Sequence, residues 1–231
     1  MVNPIKKVFF DFIDKTITQQ GQIRSVSKWE SSEMYEIQVY LPGIDMQKWD
    51  TIPRIKLKVA EYEYRDYSPA IWNTVEKTCY LFIRASHNGE GSSWVKQLKA
   101  GQTFLFAPAS AASVTRQKGP VLCLGDETAL GHFLALDQLT KTEENPIDIH
   151  LSVNQNIVLP GHISMHNKLS FIKRENSESL FVFQRSLSNF NLSSYRSIYL
   201  AGHIPMVQGL RKILKSDQNV NARIISNGFW S

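Results

Sequence analysis

Val121-Leu122-Cys123-Leu124-Gly125-Asp126-Glu127-Thr128-Ala129-Leu130 is the stretch on which the fold turns. A short, unbroken apolar run ends in Gly125-Asp126 and passes directly into a helical stretch, Glu127 to Leu139. An apolar run without alternation fits a strand covered on both faces, as in a parallel sheet. Towards the C-terminus, Ile147 to Val153, Leu180 to Phe183, Ser197 to Ala201 and Ala222 to Ile225 read as further strands. Gly202 leads into a helix through Lys215, with Pro205 in its first turn. Val207, Leu210, Ile213 and Leu214 form the inward face of that helix, while Gln208, Arg211, Lys212 and Lys215 face out. Apolar strands alternating with helices predict a parallel sheet with helices outside it.

Upstream the pattern differs. Tyr35, Ile37, Val39 and Leu41 alternate with Glu36, Gln38 and Tyr40, and Ile55, Leu57 and Val59 alternate with Lys56 and Lys58. Cys79 to Ile83 and Thr103 to Ala107 add strands, and Pro42-Gly43, Ser68-Pro69, Asn88-Gly89 and Ala100-Gly101 separate them as turns. Short antiparallel strands with one buried face predict a small closed barrel. Before them, Ile5, Val8, Phe9, Phe12, Ile13 and Ile17 follow helical spacing, which predicts an amphipathic N-terminal helix. The expected division is a β-barrel domain with its N-terminal helix over 1–116 and an α/β domain over 117–231.

Composition narrows the function classes. Apolar residues make up 42% of the 231, enough to bury a sizeable core. The net charge of +5 suits nucleotides, nucleic acid or acidic chelates. The basic residues are scattered, without the cationic groove of exposed aromatics that single-strand-binding barrels use, so no nucleic acid partner is expected. Cys79 and Cys123 lie in apolar runs outside any C-x-x-C pair, which reads as buried free thiols in a reducing compartment. No apolar run reaches the roughly 18 residues of a membrane span, and no signal-peptide core opens the chain. A cytoplasmic protein without membrane insertion is expected.

Four local patterns carry chemistry. In Arg65-Asp66-Tyr67-Ser68-Pro69 an extended segment puts Arg65 and Tyr67 on one face. There a guanidinium can fork onto a phosphate, a phenol ring can lie on a flat heterocycle, and Ser68 can bond the ring's edge, although a surface arginine and a core tyrosine before a turn would explain the same letters. His87-Asn88-Gly89-Glu90-Gly91-Ser92-Ser93-Trp94 is a glycine-rich turn running into a short helix, from about Ser92 to Leu98. Small residues there let backbone amides approach an anion, although capping by Ser92 or Ser93 would explain the same letters. Gly125 to Leu130 and Leu200-Ala201-Gly202-His203-Ile204-Pro205 are strand-to-helix junctions, where open α/β sheets bind ligands. Asp126 would serve equally as a plain N-cap. His162 and His166 have i, i+4 spacing, but no third ligand stands nearby in sequence, so no metal is expected. No nucleophile–base pair with a supporting third group is evident.

Taken in order, these patterns resemble the siderophore-interacting protein family, flavin reductases built like ferredoxin reductases. The resemblance runs from about Gly21 to Trp230. Arg65-x-Tyr67-Ser68 resembles that family's flavin motif, Gly89 to Trp94 its pyrophosphate loop, and Ala201-Gly202 its nucleotide-side turn. Gly125-Asp126-Glu127-Thr128-Ala129-Leu130 is the most specific match. Phe229-Trp230, after an Asn227-Gly228 read as flexible, resembles its C-terminal aromatic pair, and Ile55-Lys56-Leu57 a strand whose lysine belongs to a basic substrate patch.

The resemblance implies an FAD-binding antiparallel barrel followed by a parallel-sheet domain for NADPH or NADH, together reducing ferric iron in a siderophore or other ferric chelate. A general NAD(P)H–flavin oxidoreductase acting on a protein or another small molecule is the alternative. The flavin would carry the chemistry, with no side chain as acid or base. FAD contacts are expected from Arg65, Tyr67, Ser68, His87, Gly89, Gly91, Ser92, Ser93, Asp126, Thr128 and Trp230. Nucleotide contacts are expected from Gly202, His203, Arg211 and Lys212, the last two read as early in their helix. Lys56 is expected to contact the chelate.

Overall fold

A computed structural model describes residues 18–114, 118–140, 144–154, 158, 160–164, 169–174 and 178–231. The expected N-terminal helix, the boundary at about 116 and His166 lie outside the described residues. Two compact units are present. One takes Glu33–Ser113 with the described residues through Lys28; the other takes Val114–Ser231 with Trp29–Ser32.

The first unit contains β1 (Gln19–Lys28), β2 (Met34–Tyr40), β3 (Ile52–Ala60), β4 (Glu63–Tyr67), β5 (Ala70–Asn73), β6 (Thr78–Arg84), helix α1 (Glu90–Gln97) and β7 (Thr103–Ala112). Its seven strands pair antiparallel in the order β4-β3-β7-β1-β2-β6-β5. Ile55 and Leu57 of β3, Ile37 and Val39 of β2, Leu81 and Ile83 of β6 and Phe106 of β7 share one core. Strands from both ends of the order fill the same interior, so the sheet curls into a barrel. The period-2 pattern in β3 holds: Ile55, Leu57 and Val59 are buried and Lys56 is exposed. The closed barrel expected from the sequence differs in one respect. The edges β4 and β5 follow each other through Ser68-Pro69, and no ladder joins them among the described residues. Proline has no N–H to give to one.

The second unit contains β8 (Val121–Asp126), α2 (Leu130–Thr140), β9 (Ile147–Val153), α3 (Gly161–Ser164), β10 (Leu169–Lys173), α4 (Ser179–Ser186), β11 (Ser197–His203), α5 (Ile204–Ser216) and β12 (Arg223–Trp230). All five strands are parallel, in the order β10-β9-β8-β11-β12. Every residue of β8 is buried, as its unbroken apolar run predicted. Leu122 and Leu124 join Phe183, Val207, Leu210 and Leu214 in a core between the sheet and helices α4 and α5. The chain leaves β8 towards β9 on one side and later returns to β11 on the other. The carboxyl ends of β8 and β11 are therefore the switch point, where such sheets take ligands.

Two expectations are corrected here. Leu180 to Phe183, read as a strand, belongs to helix α4. A four-residue apolar run has no period that separates the two states, and packing decides. Phe183 is buried in the core while Phe181 is exposed, the one-sided burial of a surface helix. The remaining strand is β10 instead. Asn227-Gly228, read as flexible, lies inside β12 and pairs with Ala201 and Gly202.

Candidate functional sites

In the barrel unit, alternation along β4 places Arg65 and Tyr67 on one face and Asp66 on the other. The first turn of α1 comes onto that face. A Cβ built on Gly91 would stand 2.8 Å from the Tyr67 hydroxyl and 3.5 Å from Cγ of Arg65. Gly91 is therefore the residue that admits the helix to the Arg-x-Tyr pair. The N-cap of α1 is Gly89, and no side chain caps the helix. The capping by Ser92 or Ser93 considered above does not occur. Ser93 donates its backbone N–H to the Gly89 carbonyl at 3.0 Å, as an ordinary helical bond. Ser92 is buried, with its Oγ 2.6 Å from Nδ1 of the exposed His87. The opening amides of a helix have no partner within it; here they lie beside Arg65 and carry no side-chain cap.

Arg65 is half exposed. Its Nη1 donates to Oε2 of Glu63 at 2.9 Å and to the Tyr64 carbonyl at 2.8 Å. Tyr67 is half buried and packs on the barrel core. Burial pushes its phenol up to about 12 against the opposing charge of Arg65, so it remains a neutral O–H at physiological pH. Ser68 follows β4 directly, half buried. Lys56 stands on the other face. It lies opposite Asp66 in the β3–β4 register and donates to Asp66 Oδ1 at 2.7 Å. The structure thus gathers Arg65, Tyr67, Gly91 and the His87–Ser93 turn, and sets Lys56 apart from them.

In the α/β unit the two junctions meet through Asp126. Its carboxylate accepts from Thr128 N at 2.9 Å and from the Thr128 hydroxyl, and its Oδ2 accepts from His203 N at 2.7 Å. Gly202 has φ +117°, in the region that favours glycine, and a Cβ there would stand 2.6 Å from the same carboxylate. Trp230 closes the group: its Nε1 donates to Thr128 Oγ1 at 3.2 Å, and its ring centroid lies 4.3 Å from that of His203. Asp126, Thr128, Gly202, His203 and Trp230 are brought together at the carboxyl edge of β8 and β11.

Arg211 and Lys212 are not with them. The helix begins at Ile204, so Arg211 is its eighth residue, roughly 10 Å along the axis. Both side chains are exposed, beyond the middle of α5 rather than early in it.

Sequence reasoning missed a buried network beside this edge. Arg174 Nη2 donates to both carboxylate oxygens of Glu127 at 2.8 Å, and its Nη1 donates to Ser179 Oγ at 2.7 Å. Ser152 Oγ donates to Ser179 Oγ at 2.8 Å, and Arg174 Nε meets no acceptor among the described residues. Glu127 and Arg174 are 47 positions apart, and no local pattern pairs them. Cys79 and Cys123 are buried free thiols, each pushed up by burial. Among the described residues, no three His, Cys, Asp or Glu side chains are placed to hold a metal, and no helix is long and apolar enough to cross a membrane.

A seven-stranded antiparallel barrel followed by a five-stranded parallel sheet has counterparts among solved structures. The ferredoxin reductase of carbazole 1,9a-dioxygenase superposes with a TM-score of 0.74 at 17% identity, over 92% of this chain and 69% of that one. The fold is that of the ferredoxin reductases. A siderophore utilization protein from T. fusca shares this ferredoxin-reductase-like fold with a TM-score of 0.71 at 13% identity, over 92% of each chain. The siderophore-interacting protein from Acinetobacter baumannii does so at 0.68 and 17% identity, over 92% of this chain and 90% of that one. No family model matches the sequence, and no curated protein does.

Proposed function

We propose that the chain is an FAD-dependent NAD(P)H oxidoreductase that reduces ferric iron held in a siderophore or similar chelate, releasing it as ferrous iron. The observation that carries this reading is the cradle at Gly91. A glycine opens α1 onto a phenol and a guanidinium, and the first-turn amides beside them have no side-chain cap. That donor set fits a flat ring joined to a pyrophosphate. Tyr67 and Ser68 would hold the ring, while Arg65 and the turn from His87 through Gly89, Gly91, Ser92 and Ser93 would hold the phosphates. When bound, FAD supplies the chemistry of taking electrons in a pair and giving them up singly. The carboxyl edge with Gly202 and His203 is the seat proposed for the nicotinamide nucleotide; Asp126, Thr128 and Trp230, expected from the sequence at the FAD, are reassigned to this edge because their hydrogen bonds tie them to one another and to His203. Arg211 and Lys212 remain candidates for its phosphates only if these reach along α5. A cytoplasmic setting goes with a soluble electron donor and two free thiols.

The test is purification followed by heat release of any flavin and its chromatography, then NADH and NADPH oxidation with a ferric siderophore and a ferrous-iron indicator. FAD in the extract and nucleotide-dependent ferrous iron are expected. FMN alone, or no flavin, would overturn the cofactor assignment. FAD with nucleotide oxidation but no ferrous iron would favour the general flavin oxidoreductase.

A further inference from the structure

Asp126 is completely buried, yet both of its oxygens are engaged. Three donors converge on it: the backbone N–H and hydroxyl of Thr128, and the backbone N–H of His203. The Thr128 hydroxyl has one proton to give. With that proton directed at Asp126, the Thr128 oxygen is left as an acceptor, and it accepts the Trp230 indole N–H at 3.2 Å. The indole in turn lies on the His203 imidazole, tilted by 31°. The contacts form a closed circuit from Asp126 through Thr128, Trp230 and His203 and back to Asp126.

We propose that Asp126 is the positioning residue of this edge. It makes no contact with a ligand; it fixes the spacing of the two strand-to-helix turns and orients the Thr128 hydroxyl so that Trp230 is held over His203. The proposal rests on the nucleotide seat assigned above and says what builds it. A carboxylate is required because all three convergent groups are donors. Asparagine has the same shape but offers one acceptor and one NH2 group, so in either orientation its NH2 faces a donor. Gly202 is part of the same device, since a Cβ at that position would stand 2.6 Å from the Asp126 carboxylate and would force the turns apart.

The experiment uses the full chain labelled with 5-fluorotryptophan. The chain has five tryptophans, so the fluorine spectrum has five lines, and the Trp230 line is the one lost in Trp230→Phe. Asp126→Asn and Thr128→Val should each move the Trp230 line, as the partly exposed indole loses its bond to Thr128 and its place on His203, and leave the other four in place. Thr128→Ser, which keeps the hydroxyl, should leave the Trp230 line where it is. An unmoved Trp230 line in both Asp126→Asn and Thr128→Val would overturn the proposal. Should Asp126→Asn collapse all five lines by unfolding, Thr128→Val decides alone. In parallel, Asp126→Asn should raise the KM for the nicotinamide nucleotide about tenfold or more with FAD content unchanged. If wild type binds neither NADH nor NADPH, the functional reading fails while the spectra still judge the circuit. A moved line with an unchanged KM would uphold the circuit and remove the nucleotide from this edge.

Discussion

The two candidate seats are held in opposite ways. In the barrel, Arg65 of the seat is exposed and paired with Glu63, and Lys56 on the opposite face is exposed and paired with Asp66. Such pairs are worth little and exchange partners readily. In the α/β unit, buried carboxylates hold the polar groups: fully buried Asp126 bonds half-buried Thr128 and His203, and buried Glu127 bonds buried Arg174. One seat keeps its charges available for a ligand, and the other uses them to fix its own shape. A phosphate grip needs a guanidinium that can change partners, whereas a turn that must meet a nucleotide edge-on needs a backbone that does not move.

This contrast can be broken most decisively at Glu127. Glu127→Gln leaves the Arg174 charge buried without its counterion, and removing one member of a buried pair costs about 3–5 kcal/mol. Urea unfolding followed in the α/β unit should show a loss of that size, and a loss below about 1 kcal/mol would erase the distinction. Arg65→Ala sharpens the other side. It should weaken FAD binding by about 1.5–3 kcal/mol, read from quenching of flavin fluorescence in a titration, while leaving the unfolding midpoint of the flavin-free protein nearly unchanged. Unchanged FAD affinity would remove Arg65 from the seat. Lys56→Ala should have the smallest effect, under about 1 kcal/mol on stability. If Lys56 meets the chelate, the variant raises the KM for an anionic ferric siderophore at low salt, less so at high salt, and leaves a neutral ferric hydroxamate alone. Equal change on both substrates would assign Lys56 to the β3–β4 ribbon rather than to the substrate.

Much of this was legible in the letters. The unbroken run before Gly125 gave away a central parallel strand, and the alternation about Lys56 gave away a barrel wall. Arg65-x-Tyr67 was readable because period 2 alone sets both side chains on one face. The glycine at 91 reads in sequence only as room for an anion, and that it also lets the helix onto Tyr67 and Arg65 is not in the letters. What failed did so where the answer lies outside the window. Leu180 to Phe183 became a helix because α4 packs on α5, where a Cβ on Gly209 would stand 2.5 Å from Leu180. Asn227-Gly228 has the composition of a turn, but seven residues of β11 pair it and its neighbours into a strand. β1 escaped notice because its sequence is polar and its inward positions are few. Arg174 and Glu127 meet across 47 residues, and no spacing rule reaches that far.

The bond from Asp126 to His203 spans 77 residues, and this has a consequence for the newborn chain. Contacts between distant positions form late, because the intervening loop must first be closed. On the ribosome the barrel strands are complete once β7 has emerged at Ala112, and N-terminal domains fold first. The Asp126 circuit must wait for β11 and then for β12, since it needs His203 and Trp230. Trp230 follows Ala112 by 118 residues of chain (230 − 112), so the strands of the proposed flavin seat lead the proposed nucleotide edge by that much synthesis. At the roughly 5–20 residues added per second, that interval lasts several seconds at least. A flavin that binds at the proposed seat would have that time to settle before the proposed nucleotide edge is complete.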